Sequence, residues 1–383
     1  MYAVEVGNEA NLEAESLIMF QKRVLSAILL SASLGIASLG IVSCSTNADG
    51  GGGADKVSSA QATVGTVAGG SHYPVVIGNC GRELVIRQAP QQVVSLNQAM
   101  TEILLSMGLE DRLIGTATWT DPVLPHLEQA NEGIERLSDD SPSFHTVLAA
   151  EPDFVVASFT NTLAAGASGS FERYAQAGVP AYMSYAECAK VRTGGVDDGE
   201  RSHKMRMDDV YQDIRDLGNI FDEVDAANQL IRDLDVRLDA VDSSNGASLF
   251  ARGSDTSVAF WFSSATAPYF AGGYGAPQII ADMLNLQNIY QDSALEWPQV
   301  SWEEIAAKDP DVLILGDLAR RSNTAESAAE KVEFLKNNPV TKEMDAVRND
   351  RFIFLPGGDM NPSIRTVEGV EKVAVALEEL GLR

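Results

Sequence analysis

Aromatic and polar side chains at the ends of apolar runs are where this sequence could do chemistry. In α/β chains the loops at the C-terminal ends of strands build the site. That rule nominates Asn97, Gln98, Trp119, residues 138–140 and Phe159 in the first half of the chain. In the second half it nominates Trp261, Tyr269, Tyr274, Trp297 and Arg365. Flat rings offer a wall to a large, partly apolar ligand, and an arginine fork suits a carboxylate or an anionic chelate. Arg365 follows Gly357-Gly358-Asp359-Met360-Asn361-Pro362, a loop with no evident structural need for arginine. Packing competes with binding here, because Trp261 also reads as strand core and Trp297 as loop packing.

A catalytic constellation is harder to find. There is no G-x-S-x-G and no P-loop, and no phosphate-binding lysine follows Gly272-Gly273-Tyr274-Gly275. His72, His126, His145 and His203 are far apart in sequence and lie outside the nominated loops, so no bare zinc or manganese site and no cofactor is expected. Composition narrows the partners. The 383 residues hold 28 Lys plus Arg against 54 Asp plus Glu, a net charge of −26. A body so acidic does not displace counterions from nucleic acid or dock electrostatically on anionic lipid.

The N-terminal residues read as targeting sequence rather than fold. Gln21-Lys22-Arg23 precedes an apolar run over 24–42 that ends at Ile41-Val42-Ser43-Cys44. A basic region, an apolar region and a small residue before a cut form an export signal over 1–43, with Met19 as the better start. An uncleaved membrane helix is the other reading of that run. Cysteine after the small residue resembles the bacterial lipobox, which makes Cys44 a lipidation site. Residues 44–70, with Gly50-Gly51-Gly52-Gly53, form a flexible tether. Once Cys44 carries lipid, Cys80 and Cys188 remain, and outside the cell membrane they are expected to form a disulfide.

The elements that position the nominated loops follow from periodicity. Buried strands are expected over 93–96, 113–117, 154–158, 181–184, 258–262, 312–315 and 351–355, with helices over 101–107 and 367–380. A repeat relates the two halves. Phe144 through Asp153 and Trp302 through Asp311 each run from an aromatic through a short helix to Pro-Asp and a buried strand, offset by 158 residues. Residues 207–241 are helix-forming apart from Gly218 and Asp225, with apolar positions at helical spacing. The expected organisation is a first α/β lobe over 71–206, a long, stiff helical connector over 207–242 and a second lobe over 243–383. Both lobes are Rossmann-like with mainly parallel sheets, and the ligand cleft lies between them.

The run from Gln92 through Glu102, the Glu151-Pro152-Asp153-Phe154-Val155-Val156 step, Asn285-Leu286-Gln287-Asn288-Ile289 and Trp297-Pro298-Gln299-Val300-Ser301-Trp302-Glu303 stand in order over residues 73–382. This set resembles the ABC-transporter solute-binding proteins that capture iron–siderophores, haem and cobalamin. The resemblance implies two lobes joined by a rigid helix, a ligand in the cleft, a permease and an ATPase as partners, and no chemistry on the ligand. It also implies one docking glutamate per lobe. Glu303 matches in the second lobe, and His145 stands at the first-lobe position, a departure from the pattern. The nominated loops suit a ferric siderophore first, haem or cobalamin next, bound by a monomer anchored to the outer face of the membrane. A tethered ligand sensor and a surface enzyme acting on a chelate are the alternatives.

Overall fold

A computed structural model describes residues 72–191, 199–244, 256–318 and 326–382. The expected signal, the lipidated Cys44 and the tether lie outside these residues. The first elements are an antiparallel hairpin of β1 (Val75–Asn79) and β2 (Arg82–Ile86). The first lobe then alternates strand and helix. Its elements are β3 (Val93–Ser95), α1 (Gln98–Ser106), β4 (Leu113–Ala117), α2 (Glu128–Asn131), β5 (Arg136–Ser138), α3 (Phe144–Ala149), β6 (Phe154–Ala157), α4 (Phe171–Ala177), β7 (Ala181–Met183) and α5 (Tyr185–Cys188). Every strand pair is parallel, in the order β5-β4-β3-β6-β7. Strands covered on both faces are mostly apolar, and β3 and β6 are buried at every position, Ser95 at the end of β3 being hydrogen-bonded to Thr101.

A two-residue ladder of β8 (Lys190–Val191) and β9 (Glu200–Arg201) leads to α6 (Met207–Phe221) and α7 (Val224–Ser244). The second lobe contains β10 (Ser257–Ser263), β11 (Tyr269–Phe270), α8 (Ala276–Met283), β12 (Gln287–Asn288), α9 (Trp302–Lys308), β13 (Val312–Asp317), α10 (Ala328–Asn337), α11 (Asp345–Arg348), β14 (Phe352–Pro356) and α12 (Arg365–Glu379). Its sheet runs β11-β10-β13-β14, with β12 also on β10; β11 is antiparallel and the other pairs are parallel.

The 158-residue repeat is structural. Ser143 caps α3 and Ser301 caps α9, each hydroxyl accepting from the backbone N–H three residues on. Glu151 and Asp309, 158 residues apart, both take left-handed backbone at φ 56° and 41°. The strands that follow, β6 and β13, lie beside the first strand of each lobe.

The single connector expected over 207–242 is instead a helical hairpin. Asp222 turns left-handed at φ 61° and Glu223 N–H bonds Gly218 O, which ends α6. Gly218 lies inside α6, where a Cβ would sit 2.6 Å from Ala227 Cβ, so glycine there lets the two helices approach. Helix α6 belongs to the first lobe: Tyr182 OH shares its one proton between Asp213 at 2.8 Å and Asp216 at 3.0 Å, and Tyr73 OH donates to Ile220 O at 2.7 Å. Helix α7 belongs to the second, through Arg237, which bridges Glu368 at 2.7 Å and Glu371 at 2.5 Å on α12. The hairpin therefore couples the lobes through its own helix–helix face.

Cys80 and Cys188 are bonded, tying the β1–β2 turn to α5. Beside them the Asn79 carboxamide pairs with both backbone groups of Met183, at 2.7 and 2.9 Å, and extends the β7 edge. Among the described residues no helix is long and apolar enough to cross a membrane.

Candidate functional site

The order in which successive strands join the first sheet switches side between β3 and β6, and in the second between β10 and β13, while the strands themselves stay parallel there. Such reversals splay the following loops apart and leave a crevice at the C-terminal strand ends. A cavity of about 50 Å³ lies there, lined by Asn97, Gln98, Glu102, Thr118, Thr120 and Phe159 of the first lobe. Gly358, Asn361, Ser363 and Arg365 of the second lobe close it. The cavity is the meeting of the two lobes, and each contributes polar side chains and backbone.

Asn97 and Gln98 line it with their side chains committed to the protein. Asn97 Oδ1 accepts Ser158 N–H at 2.8 Å and its Nδ2 donates to Thr162 Oγ1 at 3.3 Å, lacing the β3 and β6 loops together. Gln98 Oε1 accepts the N–H groups of Thr120 and Asp121 at 3.1 and 3.0 Å. Its Nε2 donates to Glu102 Oε1 at 3.0 Å and Pro122 O at 3.3 Å. Both residues shape the walls.

Arg365 lines the cavity as well, with its fork already engaged. It is 5% exposed, and its guanidinium grips Glu102 with Nε to Oε2 at 2.6 Å and Nη2 to Oε1 at 2.5 Å. Nη2 also donates to Pro122 O at 2.5 Å, and Asp359 stands 3.8 Å from Nη1. An arginine expected to offer its fork to a ligand instead bridges the lobes. Beside it Gly358 N–H donates to Asp121 Oδ2 at 2.7 Å across the same interface. Glycine at 358 leaves room for that approach, since a Cβ would lie 2.9 Å from Arg365 Cδ and 3.0 Å from the Asp121 carboxylate and push one of these side chains aside. Burial pushes the Asp121 carboxyl above its ordinary value and takes Asp359 up to about 6, against the pull of Lys372 at 2.5 Å.

A second ionic group joins the lobes at another flank. Glu296 of the second lobe takes Lys190 at 2.7 Å and Arg201 at 2.9 Å, and Glu187 stands 3.1 Å from Lys190. Burial pushes Glu296 up, but Arg201 and Lys190 together hold it below the usual carboxylate range. Glu187 accepts from Thr160, next to Phe159, so this group touches the cavity loop.

The remaining nominated residues divide. Phe159 lines the cavity. Trp119 is half-buried beside it, folded back so that Nε1 donates to Thr116 Oγ1 at 3.2 Å and Arg136 stacks 4.6 Å over its ring. Its neighbours Thr118 and Thr120 reach the cavity instead. Residues 138–140 run along the β5 end, with Asp139 and Asp140 exposed. Trp261 is fully enclosed in the second core, edge-on to Trp302 at 4.7 Å, and corrects the cleft reading for that residue. Trp297 is 7% exposed and packs on Phe262 at 4.7 Å, so loop packing wins there too. Tyr269 and Tyr274 are half-buried outside the cavity lining. Gly272 and Gly273 serve close packing, because a Cβ on either would strike Leu295 O or Gln291 O within 2 Å. His145 and Glu303 are both exposed, each the second residue of its capped helix.

Sequence reasoning missed Glu102, Thr118, Thr120, Asn361 and Ser363. Thr118 carried no local signal, yet it is a β-branched residue at φ 52°, a conformation that costs about 1–3 kcal/mol and concentrates at functional sites. Among the described residues Thr118 Oγ1 and Ser158 Oγ are buried without a hydrogen-bond partner. Three metal-ligating side chains do not converge anywhere among those residues.

Two Rossmann-like lobes meeting over one cavity define a two-lobe binding protein. Residues 93–357 match the family model for periplasmic binding proteins, and the chain belongs to that family, whose members bind solutes rather than transform them. YvrC of Bacillus subtilis, described as an uncharacterized ABC transporter substrate-binding lipoprotein, is 22% identical over 312 residues, 80% of this chain and 86% of YvrC. A vitamin B12-binding protein of Vibrio cholerae is 22% identical over 291 residues, 75% of this chain and 89% of its own. A periplasmic binding protein from Veillonella parvula superposes with a TM-score of 0.67 at 23% identity, over 80% of this chain and 97% of that one. An Fe3+-hydroxamate transport protein from Saccharomonospora viridis gives 0.65 at 21% identity, over 80% and 99%.

Proposed function

We propose that this chain is the solute-capturing component of an ABC importer for a metal chelate, a ferric siderophore first, with haem and cobalamin next. The observation that carries the reading is the cavity at the two sheet reversals, built from both lobes of a periplasmic binding protein. Relatives named for vitamin B12 and for Fe3+-hydroxamate transport support the ligand class. Ligand pockets for molecules of this kind run to about 300–1,000 Å³. Capture therefore requires the lobes to part from the arrangement described, with the α6–α7 hairpin limiting how far.

Titrating the purified chain with ferrichrome, haem and cyanocobalamin while following tryptophan fluorescence tests this, with Trp119 beside the cavity as reporter. Saturable quenching by at least one is expected, and silence with all three overturns the ligand class. The lipid anchor belongs to the same proposal. Cys44→Ala should release the exported protein from the membrane fraction, and unchanged membrane attachment would refute the anchor. The loaded protein would dock on the permease through Glu303, with His145 facing the corresponding first-lobe position.

A further inference from the structure

The charges around the cavity form a closed account. Glu102, Asp121 and Asp359 face Arg365 and Lys372, three acids against two bases. At the other flank Glu187 and Glu296 face Lys190 and Arg201, two against two. Arg136, stacked on Trp119, is paired with Asp139 at 3.2 Å. Each base named at this interface has an acid for a partner, and the sum is acidic. The other cavity side chains, Asn97, Gln98, Thr118, Thr120, Phe159, Asn361 and Ser363, carry no charge.

Glu102 is the pivotal residue. Its carboxylate is fully buried and occupies the bidentate fork of Arg365, the geometry that a ligand carboxylate or catecholate oxygen pair would need. An anionic ligand must therefore displace an intramolecular carboxylate and leave it buried without its cation, which is costly. A chelate without net negative charge does not compete for the guanidinium, so the bridge re-forms when the lobes close on it. We infer that Glu102, by neutralising Arg365, makes the cleft select metal chelates that carry no net negative charge and reject anionic ones.

This inference rests on the proposed chelate-binding function, and the test separates the two. Affinities would be measured for ferrichrome, an uncharged ferric trihydroxamate, and for cyanocobalamin, against ferric enterobactin, a trianionic tricatecholate, and haem with its two propionates. The expected result is at least tenfold tighter binding of an uncharged chelate than of either anionic one. Equal or tighter binding of an anionic chelate overturns the charge filter while leaving the function intact, and no binding of any chelate overturns the function. Glu102→Gln should narrow the preference at least fivefold by freeing the guanidinium. Because that variant leaves a buried unpaired charge, Glu102→Gln/Arg365→Gln serves beside it: with both charges gone, the cleft should keep its preference for uncharged chelates. If the double variant gains anionic ligands instead, Glu102 is not the filter.

Discussion

Replacing Arg365 with glutamine would strand the Glu102 carboxylate at the lobe interface with Gln98 Nε2 and Leu124 N–H as donors. Breaking a buried pair from one side costs about 3–5 kcal/mol. Urea unfolding of Arg365→Gln should show a loss of that size, and a loss below 1 kcal/mol would mean the bridge is open to water. Asp213 makes a second prediction at this scale. Burial takes its carboxyl up to about 7, against the bonds from Ser184, Tyr185 and Tyr182. A folded-state value above the unfolded 3.8 means that the native state holds the proton more tightly. Its contribution is full below about pH 4 and is lost as pH rises towards 7. Asp213→Asn should remove that decline, so the stability difference between wild type and variant should shrink or reverse from pH 4 to 7 in thermal melts. A constant difference would refute the shift. Neither residue betrayed its role in sequence. Arg365 looked available because its partner lies 263 positions away.

At the scale of elements, the hairpin β1–β2 is held to α5 by the Cys80–Cys188 bond, which closes a separation of 108 residues. In the chain-entropy model a loop of about 100 residues contributes roughly 4.7 kcal/mol. Reduction should lower the melting temperature by many degrees, and an unchanged melt in reductant would show that the hairpin holds without it. The helical hairpin illustrates what element-level reading can lose. Residues 207–241 have helical periodicity throughout, and the expected weak points were Gly218 and Asp225. The break falls at Asp222, since the residue after a last turn ends a helix when it takes left-handed backbone, which aspartate tolerates. Gly218 was read as an interruption because its packing partner Ala227 belongs to the next helix. The strands were more legible. Buried parallel strands are apolar along most of their length, so β6, β7 and the centres of β4, β10 and β13 stand out as runs.

At the scale of the whole molecule, the 158-residue repeat places His145 and Glu303 at matching exposed positions on α3 and α9. If these surfaces meet the permease, Glu303→Arg should keep chelate affinity within about twofold and abolish uptake by cells, the free energy change for twofold being near 0.4 kcal/mol. Loss of both binding and uptake would make Glu303 structural. His145→Glu should raise uptake or leave it unchanged, and a fall would show that the histidine itself is recognised. Capture also couples the lobes to the two ionic groups that join them. Opening separates Glu102 from Arg365 and Glu296 from Arg201, so high salt should ease opening little at these buried pairs, which are poorly screened.

Sequence alone determined the alternation of strand and helix, the internal repeat and the two-lobe class. The first is carried by periodicity within each element, and the other two by the same local pattern recurring 158 residues on. Tertiary structure decided which of the loop side chains keep their polar groups free for a ligand. Asn97 and Gln98 spend their hydrogen bonds inside the first lobe, Trp261 and Trp297 pack inward, and Arg365 closes on Glu102. A side chain's availability depends on partners brought beside it from distant positions, and those partners leave no trace in the local pattern.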